Sequence, residues 1–252
     1  VNTSVRDMDN VRLETNYVTG VSKALGGSGD PSPFTALGVF SGMKAAVEYR
    51  MGRKDLKGLK VGVQGVGSVG KHLCSLLHEA GAKLLVTDIN AERTSEMAKL
   101  YGATVVNEQE MYGADMDVFS PCALGATLNN QSIPKFKATI IAGAANNQLE
   151  DEKSHSKMLL EKKIVYCPDY VINAGGLINV YNELLGYNIE KSTQEVKNIE
   201  GSIMTILRDA ERESVSTHEG ANRFAERRIR AVQEMKKLQN FDNSPIGMLR
   251  KS

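Results

Sequence analysis

The sequence predicts an α/β protein: a doubly wound, mostly parallel sheet followed by C-terminal helices. Three observations predict it. Short apolar runs alternate with segments of helical periodicity from residue 59 onward. The runs are apolar along their whole length, as strands buried on both faces require. Strand signals then give way, after about residue 190, to helical stripes alone. Alternating strands and helices indicate a parallel sheet covered on both sides.

The elements follow in order. Residues 1–30 are polar, predict a short helix near Asp7 to Leu13, and end in Gly26-Gly27-Ser28-Gly29-Asp30. At Pro31-Ser32-Pro33, Ser32 suits a helix cap and Pro33 the first helical position. Val39, Met43 and Val47 continue at helical spacing, with Gly52 as the stop. Lys60 to Val66 is a strand. Val69, Leu73, Leu76 and Leu77 share a helix face closed by Gly81. Leu84 to Ile89 is the next strand, and a helix carrying Met97, Leu100 and Tyr101 ends at Gly102. Thr104 to Val106, Val118 to Ser120, Thr139 to Ala142 and Ile164 to Tyr166 are further strands. Ser192 and Glu195 form a capping box. Val196, Ile199, Ile203 and Leu207 extend a helical stripe, and a second helix carries Phe224, Ala225, Ile229, Val232 and Met235. The stretch after Leu238 reads as a fraying end.

Composition excludes several function classes. The 252 residues are 41% hydrophobic and 24% charged, and 31 Lys and Arg oppose 30 acids for a net charge of +1. That balance offers no electrostatic case for nucleic acid or an anionic membrane. No apolar run is long enough to span a bilayer. Cys74, Cys122 and Cys167 are odd in number and far apart, forming neither a metal pattern nor a disulfide framework. A reducing, cytoplasmic location and no metal are expected.

Gly65-Val66-Gly67-Ser68-Val69-Gly70 fits G-x-G-x-x-G, following a predicted strand and opening a predicted helix. Gly65 permits the tight turn, Gly67 lets a pyrophosphate reach the backbone, and Gly70 lets helix and strand pack closely. The phosphates would sit on free N–H groups at the positive end of the helix. Asp88 ends the following strand, about 20 residues on, where the dinucleotide fingerprint places an acid for the ribose hydroxyls. No Arg follows it immediately, since Ile89-Asn90 come next, which favours NAD over NADP. The sheet is therefore expected to be of the Rossmann type.

Other positions admit two readings each. Asn146-Asn147 and Pro121-Cys122-Ala123-Leu124-Gly125 both follow strands, where open α/β sheets bind ligands, but both also suit turns or caps. Asp169 to Gly176 reads as a loop that either shapes a pocket or serves a turn. Cys122 reads as a packed small residue, because no His lies near it. His72, His78, His155 and His218 show no ligand spacing, and Glu226-Arg227-Arg228 with Arg230 suits an anion site but, with the surrounding charge balanced, reads first as a solvated helix face.

Taken together, these blocks resemble the glutamate/leucine/phenylalanine/valine dehydrogenases, most closely the leucine-specific branch. The blocks are Pro31-Ser32-Pro33 with Thr35, the glycine loop, Val86 to Asn90, Pro121 to Ala126, Ala142 to Leu149 and Pro168 to Gly176, and the match runs from Val1 to about Leu238. The resemblance implies NAD-dependent oxidative deamination of an L-amino acid to a 2-oxo acid and ammonium. It places Thr35 and Asn147 at the nicotinamide, with Asn147 also beside the substrate. Gly65, Val66, Gly67, Ser68, Val69, Gly70, Lys71, Asp88, Cys122 and Ala123 complete the cofactor set. Leu177 and Val180 match the side-chain pocket, where aliphatic residues suit a branched-chain, leucine-like substrate. Two positions depart from the leucine-specific pattern: Gly70, often Ala there, and Leu177, often Val.

The larger departure concerns catalysis. The family's lysine lies in a G-G-G-K segment, and its aspartate just before the stretch that Val1 to Ser4 matches. No catalytic residue is therefore expected here, and nothing in the sequence gives Lys23 or Asp169 that role. Three parts are expected: a hinge helix and linker over 1–30, a dinucleotide-binding domain over 31–190, and C-terminal helices over 191–252 that pack back toward a substrate domain. The apolar stripes of those helices would then be partly exposed, and the parent enzyme would be a homo-oligomer. The alternative is a self-contained, non-catalytic NAD-binding module.

Overall fold

The computed structural model describes residues 3–238. Val1 and Asn2, and the stretch after Leu238 read as fraying, lie outside the described residues. Six strands form one all-parallel sheet: β1 (Lys60–Gln64), β2 (Lys83–Thr87), β3 (Thr104–Val105), β4 (Val118–Pro121), β5 (Ile140–Ile141) and β6 (Val165–Tyr166). Their spatial order is β3-β2-β1-β4-β5-β6. The chain winds outward one way from β1 and then returns to wind the other way from β4. A crevice therefore opens between β1 and β4 at the carboxyl ends of the strands, where doubly wound sheets bind ligands.

The side-chain period of two divides β4, β5 and β6 between two cores. Val118, Ile140 and Val165 enter one apolar cluster, and their successors Phe119, Ile141 and Tyr166 enter the other. The first core is covered by α2 (Ser32–Met51), α3 (Ser68–Glu79), α4 (Ala91–Tyr101) and α10 (Ile199–Glu213). The second, lined by α5 (Glu108–Met111) and α6 (Glu152–Glu161), is rich in aromatics: the Phe119 and Phe136 rings pack at a tilt with centroids 4.9 Å apart. Burial on both faces explains why the strands lack polar alternation.

The remaining helices are α1 (Val5–Arg12), α7 (Asp169–Ile172), α8 (Gly175–Leu184), α9 (Ile189–Lys197) and α11 (Thr217–Leu238). Ser4 and Asp7 cap α1 reciprocally. Beyond it, the linker is docked rather than loose. Glu183 of α8 accepts hydrogen bonds from the Gly20 N–H (2.9 Å), the Ser28 N–H (2.8 Å) and the Ser28 hydroxyl (2.5 Å).

Four local expectations need correction. Helix α2 begins at Ser32 itself with Pro31 as the cap residue, and the Asp30 carboxylate, not the Ser32 hydroxyl, takes an end N–H, that of Ser32 at 2.9 Å. Ser192 and Glu195 are no capping box. Asn188 caps α9 through the Lys191 N–H, Ser192 is buried inside the helix, and Glu195 accepts from the Asn182 amide at 2.6 Å. A turn at Gly186, with φ 89°, starts the helix one turn early. Asp169 to Gly176 is not a loop but α7 and the start of α8. Its glycines serve close packing: a Cβ on Gly175 would lie 2.0 Å from the Phe34 carbonyl oxygen.

The last correction concerns exposure. Val196, Ile199, Ile203 and Leu207 are buried, and α10 packs on α2. Of the described C-terminal residues, α11 leaves Ile229 and Met235 open, each 57% exposed. Light scattering is expected to show an apparent mass that rises with concentration through this face. A constant monomer mass would count against it.

Candidate dinucleotide site

The site is built where β1 ends. Gly65 turns the chain with φ 93°, a backbone region that penalises any Cβ. A Cβ there would also meet Ala123 at 2.8 Å. Gly70 lies against the same turn, and its Cβ would stand 2.0 Å from the Gly65 carbonyl oxygen. Gly67 differs: around its missing Cβ only Arg93 Nη1 comes within 4 Å, at 3.8 Å. Gly65 and Gly70 are thus required by packing within the protein, whereas Gly67 faces open space. That opening lies at the start of α3, whose first N–H groups, from Ser68 on, have no side-chain cap. A helix start with unused donors and an open approach suits an anionic group. Val66 is buried beneath the loop, Val69 packs against the core, and Lys71 is exposed on α3.

Asp88 follows β2 directly beside this loop. Its Oδ2 accepts the Val66 N–H at 2.8 Å and its Oδ1 the Asn90 N–H at 2.9 Å. The carboxylate is therefore fixed in place, with lone pairs left for further donors. Ile89 is fully exposed next to it. Arg93 was not legible as a site residue. It stands one turn into α4, which begins at the Asn90 cap, and that turn brings its guanidinium back over Gly67. The helical offset from Asn90 was the available signal.

The other half of the crevice is a chain of close contacts. Cys122 lies under Gly70, its Cβ 3.7 Å from where a Gly70 Cβ would be. Burial pushes the Cys122 thiol up, which keeps it protonated and fits a packing role. Gly125 abuts the carbonyls of Asn146 and Asn147, whose oxygens would lie 2.6 and 2.8 Å from a Cβ there. The Asn147 N–H donates to Asp169 at 2.5 Å, and the Asn173 amide donates to Asn146 Oδ1 at 2.6 Å. Thr35 closes the set. Its hydroxyl donates to the Pro31 carbonyl at 3.1 Å and would lie 2.5 Å from a Cβ on Gly176. Close contacts thus link the loop after β1 to the segment after β4, and that segment to Asn146 and Asn147, while Thr35 lies against the start of α8.

Leu177 and Val180 lie further along α8. Leu177 is 70% exposed and Val180 half-buried. Leu177, Ile178, Tyr181 and Glu195 line a shallow cavity there. Among the described residues no metal-ligand cluster is formed, and no helix is long and apolar enough to cross a membrane.

A fold, a fingerprint loop and its acid do not by themselves name a family; comparison with known proteins does. The model of the Glutamate/Leucine/Phenylalanine/Valine dehydrogenase family matches residues 26–91 and 85–237. The chain belongs to that family. It is 53% identical over 229 residues to an L-tryptophan dehydrogenase from Nostoc punctiforme, a match covering 91% of this chain and 64% of that protein. It is 48% identical over 232 residues to leucine dehydrogenase from Bacillus cereus, covering 92% of this chain and 63% of that enzyme. The crystal structure of L-tryptophan dehydrogenase from Nostoc punctiforme superposes with a TM-score of 0.78 at 54% identity, over 80% of this chain and 61% of that one. This member of the glutamate/leucine/phenylalanine/valine family thus spans under two thirds of those relatives' length.

Proposed function

We propose that this chain is the NAD-binding part of an amino-acid dehydrogenase that oxidatively deaminates a branched-chain, leucine-like L-amino acid to its 2-oxo acid. The observation that carries the proposal is the open cradle at Gly67, flanked by uncapped donors of α3 and by the fixed carboxylate of Asp88. When bound, NAD supplies the hydride acceptor. The chain's residues hold and orient it: Gly65 to Lys71 receive the pyrophosphate, Asp88 accepts the ribose hydroxyls, and Cys122 and Ala123 form the wall across the crevice. Thr35 and Asn147 fix the nicotinamide end. Oxidative deamination also needs a polarising lysine and a proton shuttle. Lys71, the lysine of this set, is exposed on α3 at the pyrophosphate end, so we assign those groups to other residues, in a homo-oligomeric, cytoplasmic parent enzyme. In this reading residues 31–190 form the cofactor domain, with 1–30 as hinge and the C-terminal helices turned toward a substrate domain.

Leucine is favoured by the aliphatic pair Leu177 and Val180. The rival is tryptophan, favoured by the 53% identity to an L-tryptophan dehydrogenase and by the open setting of Leu177, which leaves room for a larger side chain. Calorimetry with NADH, followed by assays with NAD and L-leucine or L-tryptophan, tests the proposal. Binding without turnover is expected. Steady NADH formation would mean that the proton-transfer groups lie within these residues, and absence of NADH binding would overturn the reading.

Asp88→Ser is expected to weaken NADH binding roughly tenfold, through loss of a charge-assisted acceptor for the ribose hydroxyls. NADPH binding should improve relative to NADH, because repulsion of a 2′-phosphate is relieved and Arg93 supplies a nearby cation. Titration with both dinucleotides checks this; an unchanged preference would show that Asp88 does not face the ribose.

A further inference from the structure

We propose that Asp169 is a positioning residue that locks Asn147 into its ligand-facing conformation. The inference rests on the reading of Asn147 as a nicotinamide-side residue. Asn147 has φ 51°, in the left-handed region that L-residues seldom occupy. Two hydrogen bonds hold it there from opposite sides. Its N–H donates to Asp169 Oδ2 at 2.5 Å, and its carbonyl accepts the Ala126 N–H at 2.7 Å. Ala126 is itself left-handed, with φ 58°. The Asn147 side chain is exposed and has no hydrogen-bond partner among the described residues. The backbone is therefore committed and the amide is left free for a ligand.

Asp169 is anchored in turn. The hydroxyl of Tyr166, a residue 1% exposed at the end of β6, donates to Asp169 Oδ1 at 3.3 Å and accepts the Asp169 N–H at the same distance. Burial, then the adjacent Asp169 charge, pushes this phenol well above its ordinary pKa, so it remains a neutral donor. Asn173 grips the neighbouring residue independently, through Asn146 Oδ1 and the Ala144 carbonyl. The loops after β4 and β5 and the start of α7 are thereby fixed to one another at the crevice. With both oxygens engaged, Asp169 holds geometry rather than shuttling protons.

The test uses the 252-residue chain and two probes, NADH and ADP-ribose, which share the adenosine half and differ in the nicotinamide. The parent chain should bind NADH more tightly than ADP-ribose. Asp169→Leu should weaken NADH about tenfold, the scale of one charge-assisted hydrogen bond, and leave ADP-ribose unchanged. Asp169→Asn, whose amide oxygen still accepts the Asn147 N–H, should recover most of the loss. Asn147→Gly should remove the same NADH advantage, and adding Asp169→Leu to it should cost nothing more. Should Asp169→Leu fail to fold, Tyr166→Phe, which frees Asp169 by deleting one hydroxyl, carries the test with a smaller NADH-selective loss. Equal loss on both probes, or full additivity with Asn147→Gly, overturns the positioning role. Equal affinity of the parent chain for the two probes instead overturns the placement of Asn147 at the nicotinamide, and the proposal with it.

Discussion

Gly67→Ala is expected to leave the melting temperature unchanged and to reduce NADH affinity about a hundredfold or more, the scale of losing close backbone hydrogen bonds to a charged pyrophosphate. The two halves of this result have separate causes. At φ −72° Gly67 lies outside the left-handed region that favours glycine, and the only atom near its missing Cβ is the end of the flexible Arg93 side chain. The protein therefore has no steric use for glycine here. A ligand does: a methyl group at this point stands between the incoming phosphates and the first N–H groups of α3. Differential scanning fluorimetry read beside calorimetric titration checks both halves. A stability loss would show that glycine is kept for the fold, and undiminished binding would place the phosphates elsewhere.

Gly143→Ala should give the opposite pattern. A Cβ there would lie 2.3 Å from the Pro121 carbonyl oxygen, with the proline Cδ and N both at 2.5 Å. All three belong to the end of β4, which is buried and cannot swing aside. Overpacking of this kind costs about 1–3 kcal/mol and sometimes more, and the rigidity of the neighbour puts this position at about 3 kcal/mol. A domain of this size should then melt roughly 6–12 °C lower. Scanning calorimetry tests it; a shift below about 2 °C, less than 1 kcal/mol would produce, would show that β4 and β5 separate easily. The same side chain, added to two glycines at one crevice, thus separates the ligand's requirement from the fold's.

The fold was legible because its determinants are local. β-branched runs such as Val61 with Val63, and helix stops at Gly52 and Gly102, carry their conformations in their own chemistry. The glycine loop and Asp88 were legible for the same reason, each being a short motif with a required context. What escaped depended on partners distant in sequence. Gly175 and Gly176 read as a turn because nothing local reveals that Phe34 and Thr35 lie against them. Ser192 and Glu195 had the spacing of a cap, but Asn188 and the turn at Gly186 had already started the helix. The Asp169 bond to Asn147 spans 22 residues, across one helix and one strand. Arg93 does not follow Asp88 immediately, and only the first turn of α4 brings it back to Gly67.

The two glycines that begin α8 carry an evolutionary consequence. They weld the helix to α2 through backbone, so no large side chain near its start is needed to hold it. Leu177, the next residue, is free of structural duty and 70% exposed. Exchanges at that one position are nearly neutral for folding while they reshape the place proposed for the substrate's side chain. A lineage built on this scaffold can vary Leu177 by trial while the residues proposed to hold the dinucleotide stay untouched.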